Sequence, residues 1–204
     1  MSNISIPNAA IEIKDATANP GPMGLLAFGM TTLLLNISLA GFTSLNSLVL
    51  LVEIFTGGIL QVIAGILDWK KGNTFGSTVF ISAGFFWVVL ALQTILPAWS
   101  GGAVPGPTPV SEGFFLLMWT AFVVVLFVGA IKMRNRSFQI VLAVVAILFF
   151  IASVGALTRN PVINTISGYF GIFCGVLSIF VSLKQFLGEV DKVVAAEHAR
   201  EERG

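Results

Sequence analysis

The sequence predicts an all-α membrane protein with six transmembrane helices and both termini in the cytoplasm. Three observations lead there. Of its 204 residues, 56% are hydrophobic and only 10% are charged, far from the balance of a soluble domain. The apolar residues fall into six continuous runs, each near the roughly 20 residues that a helix needs to cross a bilayer. Strands of a membrane barrel would be about half that length and would alternate in polarity. Finally, with the N-terminus inside, all but one of the 11 Lys and Arg residues fall on the inner side, and Arg159 alone lies outside.

Residues 1–18 form a polar tail. It lacks a basic stretch followed by an apolar core, so a signal peptide is not expected. The transmembrane domain covers 19–187. Its first span is expected at about 23–42, beginning behind Asn19-Pro20. Asn is a good helix cap and Pro is tolerated in the first turn. The second span is expected at about 48–67, closed by the polar run 68–73, and the third at about 74–96. A Gly- and Pro-rich loop, 97–112, leads to the fourth at about 113–131, which ends in the basic run 132–136. The fifth is expected at about 138–157. The sixth, at about 162–183, follows Asn160-Pro161, a second helix start of the same kind on the opposite side. Residues 188–204 are a charged cytoplasmic tail whose apolar residues keep helical spacing, continuing the sixth helix.

The residue counts exclude whole function classes. Cys174 is the only cysteine and His198, in the polar tail, the only histidine. No intramolecular disulfide, bis-His haem, Cys/His zinc site or Cys–His dyad can be built from them. No cofactor, no metal, no enzymatic activity and no nucleic-acid partner are expected.

The polar residues inside the spans are unevenly distributed. The first carries Thr31, Thr32, Asn36 and Ser38, with Thr32 and Asn36 four apart on one face. The second carries Glu53, Gly57 and Gln61 at spacing four. The third carries Ser77, Thr78, Ser82, Trp87 and Gln93. In the sixth, Ser167, Gly171 and Gly175 repeat every four residues and allow close helix approach. The fourth and fifth are nearly all apolar and read as lipid- or neighbour-facing. Glu53 is the only acid within a span. Burying it costs roughly 2.5–3.5 kcal/mol. It is therefore either interfacial or a protonatable group beside a pathway. No Lys or Arg lies within the spans. Neutral donors alone suit a small, weakly hydrated or protonated solute better than a multivalent anion.

The run from Asn19 to Thr32, NPGPMGLLAFGMTT, resembles the signature of the acetate uptake transporter (Gpr1/Fun34/YaaH) family, which includes bacterial succinate–acetate permeases. Here Gly21 stands for the family's Ala and Met23 for its Leu. The resemblance continues through Gly57-Gly-Ile-Leu-Gln61, Ala64-Gly65, Lys70-Lys-Gly-Asn-Thr-Phe-Gly76, Phe86-Trp87 and the stretch from Gly168 to Gly175. It implies a homohexamer in the cell membrane with one pore per protomer. The expected partners are acetate or a similar small carboxylate, including succinate, and protons. It also implies a pore constriction of Phe, Tyr and Leu. Phe28 matches the Phe, the Tyr position falls on Ala83, and the Leu position on Val145. With Ala at 83, either a neighbour such as Phe85 or Phe86 supplies the ring, or the constriction is wider and more apolar.

On this basis Asn19, Thr31, Thr32, Asn36, Gln61 and Trp87 are expected along the substrate path, and Glu53 is the candidate for proton coupling. Two rivals stay open: transport of another solute such as ammonium, and a non-transporting membrane scaffold or sensor.

Overall fold

The computed structural model describes residues 17–202, and all the regular secondary structure across them is helical. The N-terminal tail expected at 1–18 therefore lies almost wholly outside the described residues. Six helices are long and apolar enough to cross a membrane: α1 (Gly21–Leu39), α2 (Ser47–Lys70), α3 (Thr74–Trp99), α4 (Pro109–Lys132), α5 (Arg136–Thr158) and α6 (Pro161–Glu201). The chain is thus a multi-pass, all-α membrane protein.

Each helix begins where the sequence provides an acceptor for its orphan N–H groups. Asn19 Oδ1 accepts from Gly21 N at 3.0 Å, so α1 starts two residues earlier than expected. Asn46 caps α2 through Leu48 N, Asn73 caps α3 through Gly76 N, and Asn135 caps α5 through Phe138 N. Thr108 and Ser111 form a reciprocal capping box, which brings α4 back to Pro109, into what reads as loop. Asn160 Oδ1 takes Val162 N at 3.0 Å, with Pro161 at the first helical position. The sixth helix runs on past 183, as the spacing of the tail predicts, through the charged segment to Glu201; no proline interrupts it and the helix tolerates Gly188.

The helices form a ring in chain order. Each packs on the next, and α6 returns to pack along α1, the most extensive interface of all. Small residues make that closure. A methyl at Gly175 would meet Leu33 N at 2.6 Å, and one at Gly29 would meet Ile179 N at 2.8 Å. Gly171 lies against the Asn36 amide. The close approach expected from the Ser167–Gly171–Gly175 repeat is therefore where α1 and α6 meet.

The ring's loosest backbone contact is between α3 and α4, and aromatic rings fill it. Phe86 of α3 stacks on Phe115 with centroids 5.7 Å apart, meets Trp119 edge-on at 5.0 Å, and reaches Phe149 of α5 at 4.9 Å. Phe80 meets Phe138 at 5.9 Å. This corrects the reading of the fourth and fifth spans as facing only lipid or neighbours. The α5 helix has the highest mean hydropathy, 3.0, yet it buries Val141, Leu142, Val145, Leu148 and Phe149 against the ring's interior. Its apolar composition serves an apolar interior as well as lipid.

Residues Glu53–Leu60 of α2 are wound as a π-helix, wider than the flanking α-helical turns. Glu53, Gly57, Gly58 and Gln61 all remain buried on the inward side. The stripe at spacing four survives because its middle is made of two adjacent glycines. Gly57 lies against Trp87 and Gly58 against Val88, so α3 sits close along this segment.

Candidate functional site

Two cavities occupy the middle of the ring. The larger, about 500 Å³, is a vestibule at the end away from the chain termini. Its upper wall is Arg159 and Glu112, near the ends of α5 and α4, with Pro161 and Asn164 from the start of α6. Lower down come Gln93 and Trp87 of α3, Asn36 and Thr32 of α1, and Glu53 of α2. The smaller, about 50 Å³, is a chamber closer to the termini, lined almost wholly by apolar and aromatic side chains, with Gln61 and Ser82 as its polar ones.

Phe28, Phe86 and Phe149 line both cavities. They come from α1, α3 and α5, three helices that the ring brings to face one another. Together they form an aromatic collar between vestibule and chamber. Trp87 supports it from behind, its ring centroid 6.1 Å from Phe28 and 5.4 Å from Phe86.

The residues expected at the constriction come together. Phe28, Ala83 and Val145 all line the small chamber, and Phe28 also belongs to the collar. The two rings that follow Ala83 face opposite ways. Phe85 is 58% exposed on the outside of the helix, whereas Phe86 is 3% exposed and stands in the collar. Residue 86 lies about 100° further round the helix than 85, which separates outside from inside.

Four residues expected along the path line the cavities: Thr32, Asn36 and Trp87 in the vestibule, Gln61 in the chamber. Phe28, Thr32 and Asn36 stand four apart, one above another on the inner face of α1. Their donors are partly committed to the helix. Thr32 Oγ1 donates to Phe28 O at 2.7 Å, and Asn36 Nδ2 donates to Thr32 O at 2.8 Å. What they still present are the oxygen acceptors and the second N–H of Asn36. Thr31 and Asn19 line neither cavity. Thr31 is fully buried, bonded to Ala27 O and packed beside Gly57, because it is turned from Thr32 toward α2. Asn19 caps α1 and donates to Glu189 Oε1 at 3.1 Å, joining the beginning of α1 to α6.

Glu53 is 2% exposed and lines the vestibule wall. Its carboxylate takes no hydrogen bond from another described residue. It is therefore a group on the cavity wall. The other charged groups lining the vestibule are Glu112 and Arg159. Asp68, two turns beyond Gln61, is buried and accepts from Asn73 Nδ2 at 2.9 Å, serving the α2–α3 turn.

Three buried polar atoms at the cavities have no partner: Gln61 Oε1, Trp87 Nε1 and Trp119 Nε1. Buried groups of this kind are normally satisfied. Each belongs to a side chain that lines one of the two cavities. Among the described residues no cluster of His, Cys, Asp and Glu could hold a metal ion.

Sequence reasoning missed Phe149 and Trp119 as site residues, together with Glu112 and Arg159, and named Phe86 only as an alternative to Phe85. The aromatics sit in runs of similar apolar residues with no contrast to mark them. Both charged groups lie at segment ends, where they read as loop.

A ring of six membrane-length helices around two cavities, joined through an aromatic collar, defines a multi-pass membrane protein with an hourglass interior. The chain belongs to the GPR1/FUN34/yaaH family, whose sequence pattern matches residues 4–199. It is 38% identical over 172 residues to the succinate-acetate/proton symporter SatP of Escherichia coli (strain K12), covering 84% of this chain and 90% of that one. It is 30% identical over 174 residues to ammonia transport outward protein 3 of Saccharomyces cerevisiae (strain ATCC 204508 / S288c), covering 81% of this chain and 62% of the yeast protein. A solved structure of the bacterial acetate channel SatP matches with a TM-score of 0.81 at 38% identity, over 85% of this chain and 94% of that chain.

Proposed function

We propose that this protein moves acetate and related short-chain carboxylates, succinate included, across the cell membrane through the axis of each protomer. The observation that carries the reading is the pair of cavities meeting at Phe28, Phe86 and Phe149, in a chain similar over most of its length to a succinate-acetate/proton symporter. A solute enters the vestibule, where Arg159 and the start of α6 stand beside the carboxylic side chains of Glu112 and Glu53. It then meets the collar. Aromatic ring edges are weakly positive, so they tolerate a small carboxylate while excluding bulky or strongly hydrated solutes. Phe28, Ala83 and Val145 act at the constriction, and Thr32, Asn36, Gln61 and Trp87 line the route.

The protein works as a homohexamer with both termini in the cytoplasm, and its role is transport and not catalysis. The charge asymmetry of the loops supports the placement of the termini, and the transporter or channel relatives support a role in transport.

Labelled acetate uptake into proteoliposomes tests the reading. Folded protein should raise uptake above protein-free vesicles, and cold acetate should compete. Uptake equal to that of empty vesicles would overturn it. The similarity to the yeast ammonia transport protein favours a second solute, ammonium. Under that reading ammonium, and not acetate, is taken up.

A further inference from the structure

The small chamber contains a primary amide with nothing to bond. Gln61 is 1% exposed, its Oε1 has no partner, and neither end of the amide bonds another described side chain or backbone group. The other polar lining residue, Ser82, is committed: its hydroxyl donates to Thr78 O at 2.6 Å. Trp119 also lines the chamber, and its indole N–H is likewise unpartnered. The remainder of the wall is apolar or aromatic.

We propose that the chamber binds the undissociated carboxylic acid, paired with Gln61, so that the transported proton travels on the substrate. This rests on the carboxylate reading given above and specifies which protonation state passes the chamber.

The reason is complementarity. A primary amide presents an acceptor oxygen and a donor N–H side by side, and a carboxylic acid presents an O–H and a carbonyl in the same way. Two hydrogen bonds close between them. The acid O–H donates to Gln61 Oε1, and Gln61 Nε2 donates to the acid's carbonyl oxygen. Because both ends of the amide are free, the pairing holds whichever way the amide is turned.

A carboxylate fits this site poorly. It has no proton to offer Oε1, which stays buried and unpaired. It would also carry a charge into an apolar space without a cation. No charged or titratable side chain lines the chamber from α1, α2, α3, α4 or α5. Those nearest on Gln61's own helix are Glu53, which faces the vestibule, and Asp68, which is bonded to Asn73. Glu112 and Arg159 belong to the vestibule. A carboxylate reaching the collar takes its proton from water on the vestibule side and returns it to water on the other. No covalent bond to the protein forms.

The test uses the full chain in proteoliposomes, subtracting protein-free vesicles at each pH. Three competitors are compared: acetamide, a neutral isostere of acetic acid; trifluoroacetate, which stays ionised; and unlabelled acetate. At fixed total acetate, the protein-dependent rate should fall about tenfold per pH unit above the acid's own pKa, following its undissociated fraction. Acetamide should inhibit equally at every pH and trifluoroacetate should not. Gln61→Met should lose acetamide inhibition while keeping a monodisperse, folded profile. The Glu53→Gln variant should retain the pH slope.

A rate that follows total acetate, or inhibition by trifluoroacetate as strong as by acetate, overturns the proposal while leaving carboxylate transport intact. So does loss of the pH slope in Glu53→Gln, which would put the proton on the protein. Absence of any acetate uptake removes the transport reading itself. The competitor series needs no variant, so a Gln61 substitution that fails to fold leaves the test standing.

Discussion

Phe86 and Phe149 approach to 4.9 Å between ring centroids, one from α3 and one from α5, and with Phe28 they separate the vestibule from the chamber. The narrow part of the interior is therefore shared among three helices. No single side chain controls it, and each ring is also part of the packing that keeps the ring of helices closed.

Trimming the collar should widen selectivity before it abolishes transport. In Phe149→Ala, uptake of a bulkier acid such as butyrate should rise about tenfold relative to acetate, the scale on which a pocket discriminates a few carbons. Phe28→Ala should shift selectivity in the same direction. Both substitutions remove buried rings, with a stability cost of about 3–5 kcal/mol. Substrate profiles and thermal unfolding in detergent, measured on the same samples, check the pair of effects.

Filling the chamber should do the opposite. Ala83 faces a space of about 50 Å³. Ala83→Phe places a ring there, and acetate flux should drop by about tenfold or more, with large acids excluded first. Ala83→Ser, nearly the same size, should leave flux close to that of the parent. Uptake rates for the two variants distinguish blockage from general damage.

The glycine contacts of α6 should divide sharply by position. A methyl at Gly171 runs into the Asn36 amide, whereas Gly188, on the same helix, has open space around it. Gly171→Ala should destabilise by about 1–3 kcal/mol through overpacking. Gly188→Ala should stabilise by up to about 1 kcal/mol through helix propensity. Thermal unfolding of the two variants is the measurement.

Arg159 carries two opposed effects. It caps α5 in the left-handed region, with φ +53°, and it lines the vestibule. Arg159→Gly should relieve backbone strain of about 1 kcal/mol. It should also raise the KM for acetate at low ionic strength, with the difference from the parent shrinking as salt is added. Unfolding temperature and salt-dependent uptake should therefore move independently.

Most of the architecture was legible in the sequence for physical reasons. Helix length follows from bilayer thickness, and the helix starts at Asn19 and Asn160 are local chemistry, whereas the caps at Asn46, Asn73 and Asn135 went unread. The inner face of α1 followed from spacing, since Thr32 and Asn36 lie four apart. The glycine repeat of α6 announced a close contact without naming its partner. The interior of the hourglass was harder to read. Phe149 and Phe150 are the same residue type in sequence, but one is buried and the other is 53% exposed, and only the ring's closure decides which is which. A polar residue marked the path where it occurred, as at Gln61. The chamber's remaining wall comes from apolar helices that composition cannot tell from lipid-facing ones. The π-helical stretch of α2 had no sequence signal beyond its adjacent glycines.

The two cavities also differ electrically. The vestibule carries Glu53, Glu112 and Arg159 and is roomy, so it stays close to the potential of the solution it opens to. The membrane voltage then falls mainly across the collar and the chamber, a thin dielectric barrier inside a much thicker bilayer. A charge resting beside Trp87 or Asn36 has crossed little of that voltage. An ion passing Phe28 would enter the part of the axis where it falls, with about 2.3 kcal/mol at stake per charge for each 100 mV across the whole bilayer. A neutral molecule crossing the same distance is indifferent to it. The narrowness of the aromatic collar thus decides more than size: it determines where along the axis the cell's membrane potential can act on the solute.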